Sequence, residues 1–205
     1  MGLRINTNTA AINASRVLAR STQQLNKALE QLSSGLRINR ASDDAAGLAI
    51  AEGFNSVVRG TRVAQRNAQD GVSLMQTAEG ALSETTNILQ RIRELAVQSA
   101  NGTMTTANRA ALQAEVTQLL EQIDDIASDT EFNGLRVLSA AQTITLQAGP
   151  QAGQTLQLQL SGAKASDIGV SSVSISSQDA AVSALSILDL AINSVSSLRA
   201  TLGAF

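Results

Sequence analysis

From Ser42 to Ser99 the chain contains no proline and carries an apolar stripe at helical spacing, which constrains the fold more than anything else in its 205 residues. Ser42-Asp43-Asp44 offers capping oxygens and carboxylates suited to the positive end of a helix. Met75, Leu82, Leu89 and Ala96 then follow seven apart, with Ala78 and Ile92 beside them. Upstream the stripe is looser, through Leu48, Ala51, Phe54 and Val58. One helix of about 57 residues, rising 1.5 Å each, makes a rod of roughly 85 Å. A stripe on such a rod is not coverable within one small globule, so other copies of the chain are expected to cover it.

The only proline is Pro150, and helical periodicity also governs both flanks. Leu18, Leu25 and Leu32 lie seven apart with Leu29 and Leu36 offset by four, a heptad seam that Ile5 and Ile12 extend upstream. Ser33-Ser34-Gly35 and Asn39 interrupt it, both Gly35 and Asn39 being suited to helix ends. Ala100-Asn101-Gly102-Thr103 reads as a turn. A third helix, about 107–127, carries Leu112, Val116, Leu119, Ile123 and Ile126 opposite Glu115, Gln118, Glu121, Gln122 and Asp125, and is read as an antiparallel return along the distal part of the second. Between about 140 and 178 the period changes to two: Ile144 and Leu146, then Leu156, Leu158 and Leu160, flank Ala148–Gly153 and predict a β-hairpin. Ile168, Val170, Val173 and Ile175 predict further extended chain. A last helix, about 179–202, aligns Ala181, Leu188, Val195 and Leu202 beside Leu185 and Ile192, its second row interrupted by Arg199. The fold class is therefore mainly α, long antiparallel coiled-coil-like helices forming a rod with a small β-hairpin element. Its domains are residues 1–43, a terminal helix and connecting spoke, and 44–205, a helical body with the hairpin region.

Composition removes whole classes of chemistry. With no cysteine there is no disulfide, thiolate metal site or thiol nucleophile, and with no histidine there is no Ser-His-Asp triad and no HExxH site. Fifteen Lys+Arg against seventeen Asp+Glu give a formal charge of −2, without the concentrated cationic face that nucleic acid requires. Three Phe, no Trp and no Tyr leave the core to aliphatic side chains. No apolar run approaches the roughly 18 residues of a membrane span, and Met1–Asn6 is not a signal peptide. No cofactor is expected.

No catalytic constellation is readable. Asp43/Asp44 and Asp124/Asp125 are adjacent on helices and do not face each other, so they read as a helix start and a solvated face. Asn13-Ala14-Ser15 matches a glycosylation acceptor by spacing alone. The stretch Leu89-Gln90-Arg91-Ile92-Arg93-Glu94-Leu95 reads as an amphipathic turn with its charges in solvent. Its charge density, high for this chain, keeps a partner-binding role open beside that reading.

These blocks resemble bacterial flagellin. Gln31–Asn39, Ala41–Ala51, Arg66–Gly71, Gln76–Leu82, Arg91–Thr103 and Phe132-Asn133-Gly134 are similar to the family's N-terminal signature, in order and nearly continuously over 1–138, and Arg199–Ala204 resembles the start of its C-terminal block. The resemblance implies a structural filament subunit, not an enzyme: terminal helices paired in an inner core, middle helices in a surrounding shell, a short insert here in place of outer domains. It implies secretion through the flagellar type III export apparatus to an extracellular flagellum. The implied partners are other flagellin subunits in a homopolymer, cap and junction proteins, and the flagellin-sensing Toll-like receptor; no nucleic acid and no membrane insertion are implied. The receptor-binding candidates carried over are Arg91, Leu95 and Glu115. Assembly and packing are assigned to Leu25, Leu29, Leu32 and Leu36 for the core helix and to Met75, Leu82, Leu89 and Ile92 for the shell. Flagellins continue into a C-terminal helix that pairs with the N-terminal one. The sequence in hand reads as lacking it, so the stripe of residues 5–36 is expected to need a neighbour. Two alternatives stand beside the filament subunit: a hook–filament junction protein, and an assembly-incompetent fragment acting as a soluble receptor ligand.

Overall fold

The computed structural model describes residues 8–205; Ile5, read as an upstream extension of the first stripe, lies outside the described residues. The element order is α1 (Thr9–Ser34), α2 (Ala45–Ser99), α3 (Thr106–Asp129), β1 (Glu131–Phe132), β2 (Leu135–Arg136), β3 (Gln142–Gln147), β4 (Thr155–Leu160) and α4 (Gln178–Ala204). All four predicted helices are present, each within a few residues of its expected ends. Two compact units are found, residues 1–59 and 60–205, with the division inside α2.

In the first unit, Asn8 Oδ1 caps α1 by accepting from the Ala11 N–H at 3.1 Å. Gly35 ends the helix in the left-handed region at φ 68, its N–H returning to the Gln31 carbonyl at 2.9 Å. The chain then folds back along α1. Lys27 Nζ meets Asp43 Oδ1 at 2.7 Å, Arg40 Nε meets Glu30 Oε1 at 2.8 Å, and Gln31 Nε2 donates to the Arg37 carbonyl at 2.7 Å. Asp44 Oδ1 accepts from the Gly47 N–H at 2.8 Å and starts α2, as the capping chemistry predicts.

The second unit holds the hydrophobic core. The distal part of α2 contributes Leu74, Ala78, Leu82, Leu89, Ile92, Leu95 and Ala96; α3 contributes Val116 and Ile123; α4 contributes Ala181, Leu188 and Val195. Paired contacts fix the directions: α3 returns antiparallel to α2 (Arg91 to Glu115, Ser99 to Arg109), and so does α4 (Arg93 to Asp189, Arg199 to Glu79). Arg109 reaches across the intervening turn, its Nε donating to the Ser99 carbonyl at 2.8 Å and its Nη2 to the Asn101 carbonyl at 3.0 Å, which satisfies the end of α2. By length and a mean hydropathy of 1.5 in its most apolar window, α4 could cross a membrane, contrary to the sequence reading that no run comes close. Its apolar face is packed in this core, with Ala181, Ala184, Leu188, Ala191, Val195 and Leu202 buried.

β3 and β4 form the predicted antiparallel hairpin, with Ile144 opposite Leu158 and Leu146 opposite Leu156. It approaches the stretch of α2 where side chains are small: Asn67 Nδ2 donates to the Gln147 carbonyl at 3.0 Å, and a Cβ built on Gly60 would lie 2.8 Å from Pro150 Cβ. Two features differ from the sequence expectation. Phe132-Asn133-Gly134-Leu135 is itself a minimal hairpin, with Asn133 at φ 51 and Gly134 at φ 77, the two positive values that a two-residue turn joining twisted strands requires. Residues 161–177 are not strand; they are turns whose Ala163, Ala165, Ile168, Val170, Val173 and Ile175 plug the core. Asp124, read as solvated, anchors this segment by accepting from the Ala165 N–H at 2.8 Å. Inside, the Ile175 N–H donates to Gln113 Oε1 and the buried Ser99 hydroxyl donates to the Ile175 carbonyl, both at 2.6 Å.

Candidate assembly and recognition surfaces

The first surface is α1. None of its residues is buried, and Leu18, Leu25, Leu29 and Leu32 are all open, Leu32 being 81% exposed. At 3.6 residues per turn these four share one stripe. Lys27, nine residues from Leu18, stands half a turn away, on the polar side. That is the side the returning loop occupies, through Lys27, Glu30 and Gln31. The fold-back therefore satisfies the polar face of α1 and leaves the leucine stripe open within this unit. Leu36, just past the helix, is also exposed. Ile12 is exposed but does not extend the stripe: six residues before Leu18, it sits about a third of a turn off.

Asp43 holds the loop. Its carboxylate takes the Lys27 ammonium on Oδ1 and the N–H groups of Asn39 and Arg40 on Oδ2, each at 3.3 Å. The Lys27 hydrogen bond, foremost, and these backbone donors pull its pKa below the ordinary aspartate value.

The second surface lies on the body. Arg91 donates from Nε and Nη2 to Glu115 Oε1, at 3.2 and 2.9 Å, and from Nη1 to Glu94 Oε2 at 3.0 Å. Both neighbours hold the guanidinium in its charged form, Glu115 more than Glu94. Arg93 similarly meets Asp189 at 2.7 Å. Exposed pairs stabilise little, so their consequence is order: two long side chains are held in one geometry at the surface. The antiparallel return thus brings together Arg91 and Glu115, as expected, and adds Glu94, whose i,i+3 spacing from Arg91 was readable. Asp189 was not readable as a partner, because α4 had no predicted register against α2.

Leu95 is a correction. It is 1% exposed, on the same face as Ile88, Ile92 and Ser99, and a partner cannot touch it without opening the core. The shell positions also differ from the reading that copies must cover them. Leu82, Leu89 and Ile92 are buried within the chain by α3, α4 and the 161–177 segment, while Met75 is half-buried. An inability to cover its own stripe describes α1 and fails for the distal half of α2.

Residues 5–143 match the family model of the bacterial flagellin N-terminal helical region. A flagellin of Halalkalibacterium halodurans is 46% identical over 203 residues, covering 98% of this chain and 75% of that protein. A flagellin of Salmonella muenchen is 47% identical over 176 residues, 86% of this chain but 34% of that protein, so the chain spans about a third of the length of such relatives. Among solved structures, Bacillus cereus flagellin superposes with a TM-score of 0.58 at 31% identity, over 68% of this chain and 82% of that one. With the family model matched from near the start to the beginning of β3, and one relative aligned over nearly all of this chain, the chain belongs to the bacterial flagellin family.

Proposed function

We propose that the chain is a structural, non-enzymatic subunit of the extracellular flagellar filament, exported and polymerised with copies of itself for motility. The observation that carries this reading is the leucine stripe of α1, open along its length while the polar side of the same helix is occupied. Exposed apolar area of this extent on a helix is a face that binds something. Leu25, Leu29, Leu32 and Leu36 are the assembly residues. The type III export apparatus, cap and junction proteins are the further partners that membership of the family suggests.

The test is electron microscopy of filaments assembled from the chain carrying Leu32→Asp beside the parent. Filaments are expected to be lost or shortened, while the circular dichroism of the monomer stays helical, since Leu32 supports no core. Normal filaments would refute the seam.

The same reading makes the chain a ligand of the flagellin-sensing Toll-like receptor through Arg91 and Glu115. Support comes from the ordered Arg91–Glu115–Glu94 cluster on the exposed face of α2 and α3. In a receptor reporter assay the Arg91→Ala/Glu115→Ala pair is expected to signal less than the parent; equal signalling would refute this surface.

A further inference from the structure

The chain contains two exposed Asn-Gly dipeptides, Asn101-Gly102 and Asn133-Gly134, and the structure gives them different chemistry. Glycine after asparagine leaves the backbone nitrogen unshielded, so both are candidates for intramolecular attack on the asparagine amide. At position 101 the side chain is already bent over the following peptide, because Asn101 Oδ1 accepts from the Thr103 N–H at 3.1 Å. That bond does two things. It holds the side-chain amide against the peptide that follows it, and it aims a donor at the oxygen on which negative charge develops when the nitrogen attacks. The space around Gly102 is open, a Cβ there finding only Gln178 Nε2, at 4.0 Å. Asn133, by contrast, is locked at φ 51 in the turn between β1 and β2, and among the described residues no donor reaches its side-chain oxygen.

We infer that Asn101 is a site of spontaneous deamidation in the folded chain, and that the fold makes it faster than Asn133. The Gly102 nitrogen bonds to Asn101 Cγ and gives its proton to hydroxide. The Thr103 N–H stabilises the resulting oxyanion on Oδ1. The Cγ–Nδ2 bond breaks, and the amide nitrogen takes a proton from water and leaves as ammonia. One water then opens the cyclic imide at either carbonyl, giving aspartate or isoaspartate at position 101; the net change is amide plus water to acid plus ammonia. The product matters structurally. A new carboxylate stands at the negative end of α2, where it is disfavoured. The isoaspartyl form also routes the main chain through an added methylene and turns the Asn101 carbonyl, which Arg109 and the Met104 N–H hold, into a free carboxylate outside the main chain.

The experiment ages the whole purified chain at mildly alkaline pH, native and in urea, and follows both peptides by mass spectrometry with isoaspartate detection. In the native chain conversion at Asn101 is expected to run about two- to tenfold faster than at Asn133, the factor one net hydrogen bond corresponds to. In urea the two rates are expected to converge, and Gly102→Ala is expected to suppress conversion at Asn101 alone. Absence of isoaspartate at 101, a native rate at 133 equal or greater, or a gap that persists in urea would each overturn the inference.

Discussion

Asp43 is the residue on which the first unit's loop turns, and its behaviour with pH follows from its partners. Its pKa in the folded chain lies below the ordinary 3.8 because the charged form is bonded to Lys27 and to the Asn39 and Arg40 N–H groups. A depressed carboxyl pKa means stabilisation that is fully present above the unfolded value and lost as the pH falls through the folded one. Amide exchange at Asn39 and Arg40 is therefore expected to be unchanged from neutrality to just above 3.8 and to quicken below it, corrected for intrinsic rates. In Asp43→Asn the amides will exchange fast throughout; protection equal to the parent's would show that the carboxylate does not hold the loop. Two glycines of α2 make a second comparison. Around Gly80 nothing lies within 4 Å, so Gly80→Ala is expected to gain up to about 1 kcal/mol of helix propensity. At Gly60 the new Cβ meets the Pro150 ring at 2.8 Å and its Cα at 3.2 Å, neither able to rotate away. Overpacking of about 1–3 kcal/mol then outweighs the propensity gain, and Gly60→Ala is expected to lower the melting temperature. Neither Asp43's tie nor the Gly60 contact was legible in the sequence, since each joins residues whose proximity depends on a chain reversal or on how a hairpin lies.

At the scale of elements, helix existence was legible and helix environment was not. Period and capping residues place α1, α2, α3 and α4, and alternation places β3 and β4, because each signal is local. The stripes of α1 and of distal α2 look alike in sequence, apolar positions seven apart among polar ones. Their surroundings differ: Leu89 and Ile92 are fully buried, and Leu25 and Leu32 are open. The difference comes from residues 161–177 and α4, which close over one stripe and belong to the other end of the chain. The 161–177 segment itself misled because alternating Val and Ile suggest strand, whereas here they are successive plugs tied by Asp124, Gln113 and Ser99. This contrast makes a prediction. Leu89→Ala is expected to cost about 2–5 kcal/mol, cavity included. Leu32→Ala is expected to stay within about 0.5 kcal/mol in the dilute chain and to act on assembly alone. Urea denaturation of the two variants checks it; a large loss in Leu32→Ala would mean that α1 is buried in the monomer.

For the molecule as a whole, these two stripes imply two levels of stability along one chain. The second unit encloses a core of twenty-six buried residues, while α1 has none. Helices are held mainly by packing of an apolar face, and α1 buries none of its own. Opening free energy therefore differs along the chain, low where few apolar contacts are made and high in the core. In the dilute monomer, amides of Thr9–Ser34 are expected to exchange hydrogen orders of magnitude faster than those of Leu89–Ala96. On polymerisation the α1 amides are expected to become protected and those of the core to change little, since association stabilises only what it covers. Equal protection of α1 and the core in the monomer would mean that the leucine stripe already has a cover, and the need for sister copies would disappear with it. A core that tightened as much as α1 would instead place the intersubunit contact on the body. The division of labour that separates a self-sufficient body from a helix dependent on its neighbours rests on that one difference in exchange.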